Sequence, residues 1–317
     1  MTSKRKAEEE IVTFWGEEQC QRCTNKAYYK AGDSLLCGVH SRNLKRIELD
    51  KNPNAKDRKE TILLERGRKV ILAAVENKIA DRKGALTVSK LRMMREPDHV
   101  DGVLNVFPNN KHQNRKDGFG CASLSPMRLG PVKHGQPGVP EALSIENYHQ
   151  FNKVFPRDLV DPTNPLSEVK PEFYTIRDNA YRDPVPHRHK YPQDKGVGGN
   201  KNVPLYSIHV KADGTKQCYS YLKSRYFYCH QYEILAKQTE DFATLRRWLD
   251  EGRNLQIVGY DGYPVTKTLW EHYNDTGKPF GHEMVLYTLL AVENPADYPW
   301  NRFFEKNKID YLTQLGK

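Results

Sequence analysis

The sequence predicts an α+β protein: a small N-terminal module rich in cysteine and histidine, then a larger, mainly α-helical domain with short strands and a long irregular insert. Three observations predict this. Cys20, Cys23, Cys37 and His40 fall in one short stretch. Apolar residues then recur at helical spacing in several blocks. Residues 156–204 lose that periodicity and are rich in proline. A chain of 317 residues has room for one large or two ordinary domains beside such a module. The expected partition is a disordered charged tail at 1–15, the module at 16–45, a basic helical and linker region at 46–115, and the main domain at 116–317 with its insert at 156–204.

The module reads Cys20-Gln-Arg-Cys23, thirteen residues, then Cys37-Gly-Val-His40. Each pair brings two ligands to one side of a tight turn, and two such turns close a tetrahedron for Zn²⁺. A Cys3His set leaves no open position, so the metal is expected to be structural, holding a unit too small for a core of its own. A plain redox pair is the competing reading, and the histidine-bearing second turn argues against it. Tyr28, Tyr29, Lys26 and Lys30 inside the loop suit either a nucleic-acid contact or the module's own small core and rim.

The net charge of +10 is uneven, and residues 41–120 hold 19 Lys/Arg against 11 Asp/Glu. A basic segment behind a zinc module is a footprint for nucleic acid, and equally a solvated helix face. Cys121, Cys218 and Cys229 are scattered, which excludes a disulfide framework and fits a reducing, intracellular setting. There is no run of eighteen apolar residues and no signal-peptide pattern, so no membrane association is expected.

The elements follow in order. An amphipathic helix is expected over 57–80, with Leu63, Leu64, Val70, Ile71, Ala74, Val75 and Ile79 as its apolar stripe and Gly67 weakening its middle. Residues 99–107 read as a strand, with Gly102 marking a bulge or turn. Ser125 to Val132 reads as short and extended. Ser144 caps a helix through Phe155. Residues 205–211 alternate as a strand up to Asp213-Gly214. Helices are expected from Arg225 to Lys237, from Thr239 to Leu249 with Gly252 closing it, from Thr268 to Tyr273, and from Gly281 to Leu290. Leu255 to Tyr260 is a buried strand.

Two constellations carry chemistry. Glu146, His149, Gln150 and Lys153 share one helix. Asp261 is followed by Phe280, Gly281, His282 and Glu283 at a helix N-terminus, whose free N–H groups suit a phosphate. A carboxylate with cationic or aromatic company can hold a ribose hydroxyl, activate water or stabilise oxocarbenium charge. On a helix, the same spacing is more often an ordinary surface.

Ser125-Pro126 followed by Ser144-Ile145-Glu146-Asn147-Tyr148-His149-Gln150 and Lys153-Val154-Phe155 resembles the opening motif of the NADAR family. Arg225, Tyr232-Glu233 with Lys237, then Leu245, Leu249 and Gly252 resemble its middle helices. Leu269-Trp270-Glu271, Phe280-Gly281 and Leu286 to Leu290 resemble its closing turn and last helix, with Phe-Gly where the family often has Trp-Gly. The resemblance covers roughly 119–155 and 219–292. It implies a mainly helical domain acting as an N-glycosidase on ADP-ribosyl or nucleotide-type substrates. Glu146 would be the ribose-facing catalytic carboxylate, and His149, Gln150, Lys153, Arg225, Asp261, Phe280, Gly281 and His282 would bind the substrate. The whole chain is also similar to uncharacterised proteins of large nucleocytoplasmic DNA viruses, which would place it in host cytoplasm, nucleus or virion. The alternative function is a zinc-containing nucleic-acid-binding or virion structural protein whose NADAR-like domain is inert.

Overall fold

The computed structural model describes residues 11–13, 19–27, 29–31, 33–37, 39, 53–93, 95–191 and 204–306. Near the N-terminus, β1 (Ile11–Thr13), β2 (Tyr29–Ala31) and β3 (Ser34–Leu36) form an antiparallel sheet in the order β1-β2-β3. Ile11–Thr13 fall in the expected charged tail, yet they pair with Ala31 back to Tyr29 and so belong to the module. Backbone pairing overrides the tail's polar composition. Tyr28 and His40 lie outside the described residues.

α1 (Pro53–Ile79) is the long helix the periodicity predicts. Its apolar stripe is only half used. Val70 is buried, but Leu64, Ile71, Val75 and Ile79 stay exposed, Ile79 at 82%. These residues lie on the side of the helix turned away from the sheet. The helix meets the sheet through polar groups, with Asn77 Nδ2 donating to the Gly252 carbonyl and to Asn254 Oδ1, each at 2.9 Å.

β4 (Leu86–Lys90), β5 (Val103–Phe107) and β6 (Phe119–Gly120) follow. The segment expected as extended at Ser125–Val132 is a turn in its first half. Next come α2 (Ile145–Phe151), β7 (Lys153–Val154), α3 (Pro171–Arg182), β8 (Tyr206–Val210), β9 (Lys216–Tyr219) and α4 (Tyr221–Ala236). The chain ends with α5 (Glu240–Asp250), β10 (Asn254–Gly259), α6 (Leu269–Asn274), α7 (His282–Ala291) and α8 (Pro299–Lys306). The protein is thus mixed, with eight α-helices among the described residues and both parallel and antiparallel sheets, in keeping with the α+β class.

The central sheet runs β4-β10-β5-β6 with parallel pairing throughout. β4 and β5 come from 46–115, so that region is no linker: it supplies two of the four strands. β4 reads as Leu-Thr-Val-Ser-Lys, and only β10, far along the chain, completes it. Leu255 and Ile257 of β10 face the main core with Met284, Val285 and Leu289 of α7. A second antiparallel sheet runs β7-β8-β9.

The expected irregular insert at 156–204 contains α3. Pro171 sits in its first turn, where a missing N–H costs nothing. Phe173, Arg177, Ala180 and Tyr181 bury one face. Asn147 of α2 ties this segment down. Its Nδ2 donates to the carbonyls of Ala180, Asp183 and Val185 at 3.0–3.1 Å, and its Oδ1 accepts from His187 N at 2.7 Å. Further on, Lys190 Nζ lies 3.0 Å from Asp158 Oδ2 with its side chain fully buried. The His187–Lys190 run is therefore partly committed to the fold, since His187 also meets Asp183 at 2.7 Å.

Candidate functional site

α2 positions the first set of site residues. Its first N–H groups are all used. Ile145 N donates to the Leu129 carbonyl at 2.8 Å, Glu146 N to the Pro126 carbonyl at 3.0 Å, and Asn147 N to Ser144 Oγ at 3.1 Å. The Ser125-Pro126 turn thereby docks on the helix start and fixes it. Ile145, Tyr148 and Phe151 face the core. Glu146, His149 and Gln150 recur on another stripe of α2, which ends at Phe151 and not at the expected Phe155; Lys153 follows in β7, and all four are half-buried.

That stripe is bonded in sequence. Gln150 Nε2 donates to Glu146 Oε1 at 3.0 Å, and Lys153 Nζ donates to Gln150 Oε1 at 3.3 Å. Burial pushes the Glu146 carboxyl above the usual range, opposed by the Gln150 bond and by the charges of Lys153, His282 and Arg188. Burial lowers Lys153 to about 8, with Glu146 holding it up. Burial also drives the His149 imidazole well below its ordinary value, helped by Lys153 and Arg225, so it is neutral at pH 7.

An aromatic floor links α2 to α7. His149 lies 4.9 Å from Tyr228, Tyr228 lies 6.5 Å from Tyr232, and Tyr232 lies 6.3 Å from His282, all between ring centroids. His282 Nδ1 sits 3.3 Å from Glu283 Oε2, and Nε2 is buried with no bonding partner among the described residues. Glu283 is fully buried, and its Oε1 accepts from Asp261 N at 3.4 Å. A β-carbon at Gly259 would collide with that carboxylate, so the end of β10 must be glycine for Glu283 to fit.

The structure therefore brings together Glu146, His149, Gln150, Lys153 and His282. It assigns the other expected residues differently. Arg225 is buried and donates to the carbonyls of Tyr273, Asp275 and Lys278 and to Tyr221 Oη, so it ties down the loop before α7 instead of facing a phosphate. Phe280 is buried edge-on against Tyr273, with centroids 5.3 Å apart. Gly281 caps α7 beside the exposed Asp261. The phosphate expected at this N-terminus would meet the Glu283 carboxylate, which already satisfies the positive helix end. The sequence placed Glu283 at this helix N-terminus but gave it no role in the site. Its signal was a lone acid heading an otherwise apolar helix.

Glu233 and Lys237, part of the motif, pair at 2.7 Å, and Glu233 also accepts from Trp300 Nε1 at 2.8 Å. They hold α8 on α4. Glu146 lines neither the cavity of about 450 Å³ around Tyr174 and Tyr206 nor that of about 180 Å³ beside α1.

In the N-terminal module, Cys20 N donates to the Asn25 carbonyl at 2.8 Å and Cys23 N to the Cys20 carbonyl at 3.2 Å, which folds the first turn. The β2–β3 hairpin delivers Cys37. The three sulfur atoms lie within 4.8 Å of one another, with Cys23 and Cys37 Sγ 3.7 Å apart. Ligands at about 2.3 Å from a tetrahedral centre sit about 3.8 Å apart, so this cluster could hold a metal ion.

No helix among the described residues is long and apolar enough to cross a membrane. Comparison with family models, curated proteins and solved structures finds no match.

Proposed function

We propose that the chain is an N-glycosidase acting on an ADP-ribosyl or nucleotide-type substrate, with Glu146 as the carboxylate that meets the ribose. One observation carries the reading. A half-buried carboxyl with raised proton affinity is bonded through Gln150 to a lysine near pKa 8, close enough to His282 to feel its charge. Cleavage at an anomeric carbon needs contact with the ribose hydroxyls and negative charge where the sugar becomes positive. Glu146 serves both as the anion. Gln150 and Lys153 supply donors to sugar oxygens, and neutral His149 with Tyr228 gives an aromatic wall. His282, with Nδ1 turned to Glu283, offers Nε2 to a hydroxyl or to the attacking water. The resemblance of the Ser125 to Phe155 stretch to the NADAR motif supports the same assignment of Glu146.

The test is to incubate the full chain with ADP-ribosylated nucleic acid, ADP-ribosylated protein, NAD and ADP-ribose, and to follow released base or ADP-ribose by chromatography. Turnover of at least one substrate is expected. No turnover of any of them, with the fold intact, overturns the reading.

The module is proposed to carry a structural Zn²⁺ on Cys20, Cys23 and Cys37, with His40 as the fourth ligand. Purified protein should hold about one zinc per chain, and Cys20→Ser should lose it and unfold the module, because metal binding supplies the folding free energy of such units. Metal analysis that finds no zinc in protein made with zinc supplied would refute this.

A further inference from the structure

We infer that the cleft between α1 and the start of β5 is a second binding site, for a phosphoryl group, independent of Glu146. A cavity of about 180 Å³ lies there, lined among others by Arg66, Gly67, His99, Asp101, Lys116 and Asp117. Pockets for whole drug-sized ligands run to several hundred Å³, so this one suits a phosphoryl group with part of its ester.

Its charges are sorted. Both acids have cations of their own: Lys69 Nζ bonds Asp101 at 2.6 Å, and Arg115 grips Asp117 through Nε at 2.7 Å and Nη2 at 2.5 Å. Arg66 and Lys116 bond no carboxylate among the described residues. His99 adds a neutral donor. Gln256 Nε2 donates to Asn105 Oδ1 at 2.9 Å, which fixes the Asn105 amide. Asn105 Nδ2 then faces His99 Nδ1 at 3.1 Å and makes it the acceptor, so the proton sits on Nε2. Burial, then Arg66, keep this imidazole uncharged. A guanidinium, an ammonium and an N–H with no unpaired acid complement a phosphoryl group.

Gly67 is the second, separate observation. Glycine weakens a helix interior relative to alanine. No atom lies within 4 Å of where its β-carbon would sit, so packing within the chain does not demand it. It lines the cavity, and the bare backbone keeps room beside Arg66. The site falls inside the basic stretch 41–120 and gives that stretch a built anion pocket.

The test is calorimetric titration of the full chain with inorganic phosphate, AMP and adenosine at low and high salt. Phosphate and AMP should bind and weaken with salt, while adenosine should not bind. AMP tighter than phosphate marks a nucleotide as the source, and equal affinity marks free phosphate. Arg66→Ala and Lys116→Ala should each weaken phosphate by on the order of tenfold, as loss of a charge-assisted bond does. Gly67→Leu should stay folded and lose phosphate, and Glu146→Gln should leave its affinity unchanged. No binding of phosphate or AMP, adenosine binding as well as AMP, or parental affinity in both Arg66→Ala and Lys116→Ala would overturn the site. Loss of phosphate affinity in Glu146→Gln would overturn its independence.

Discussion

Glu146→Gln is expected to lower turnover by a factor on the order of 10² or more while the fold is kept. The substitution preserves shape and can still bond Gln150, whose Nε2 now reaches Glu146 Oε1 at 3.0 Å. It removes the negative charge that would face the anomeric carbon. The pH profile of kcat/KM adds a second readout. Burial raises the Glu146 carboxyl, so its anion forms only above the ordinary carboxylate range, and the acid limb should be displaced upward. Lys153 is lowered to about 8, so the ammonium that holds Gln150 is lost as pH rises through that value and activity should fall there. Lys153→Met should abolish the alkaline limb and move the acid limb higher still, because the Lys153 charge helps keep Glu146 ionised. A Glu146→Gln variant with parental turnover, or a profile flat from pH 5 to 9, would sink the assignment.

Asn147→Ala should destabilise the domain by about 3–5 kcal/mol, since each buried polar group left unpaired costs about 1–3 kcal/mol. One fully buried amide satisfies three carbonyls of the insert and one N–H. Urea denaturation followed by circular dichroism would read the loss as a lower midpoint. A loss below about 1 kcal/mol would show that water replaces the amide without cost. Asn147→Asp keeps the bond from His187 N but turns a buried carboxylate oxygen on the three carbonyls, so its loss of stability should be at least as large.

The sequence by itself determined the elements whose signal is local. Ser144 as the cap of α2, the length of α1, and the helices α4 to α7 follow from capping residues and apolar period. The Glu146–Gln150 pair was equally legible, because helical spacing alone makes those side chains neighbours, whereas Lys153 reaches Gln150 from β7, beyond the end of the helix. The cysteine cluster was legible from spacing too. Tertiary structure decided the rest. β4 is a strand only because β10 pairs with it, and α3 is masked by prolines and charges that its buried face outweighs. Which side of α1 is covered was decided by packing too, with Val70 and Asn77 turned to the sheet and Ile71, Val75 and Ile79 left outside. Arg225 and Glu283 show the limit most plainly. Both are buried charges, and sequence cannot say whether such a group faces a ligand or the chain's own backbone. Arg225 spends its donors on three carbonyls, and Glu283 fills the helix end where a phosphate was expected. The burial of those groups depends on segments far apart in the chain, and only the packed fold brings them together.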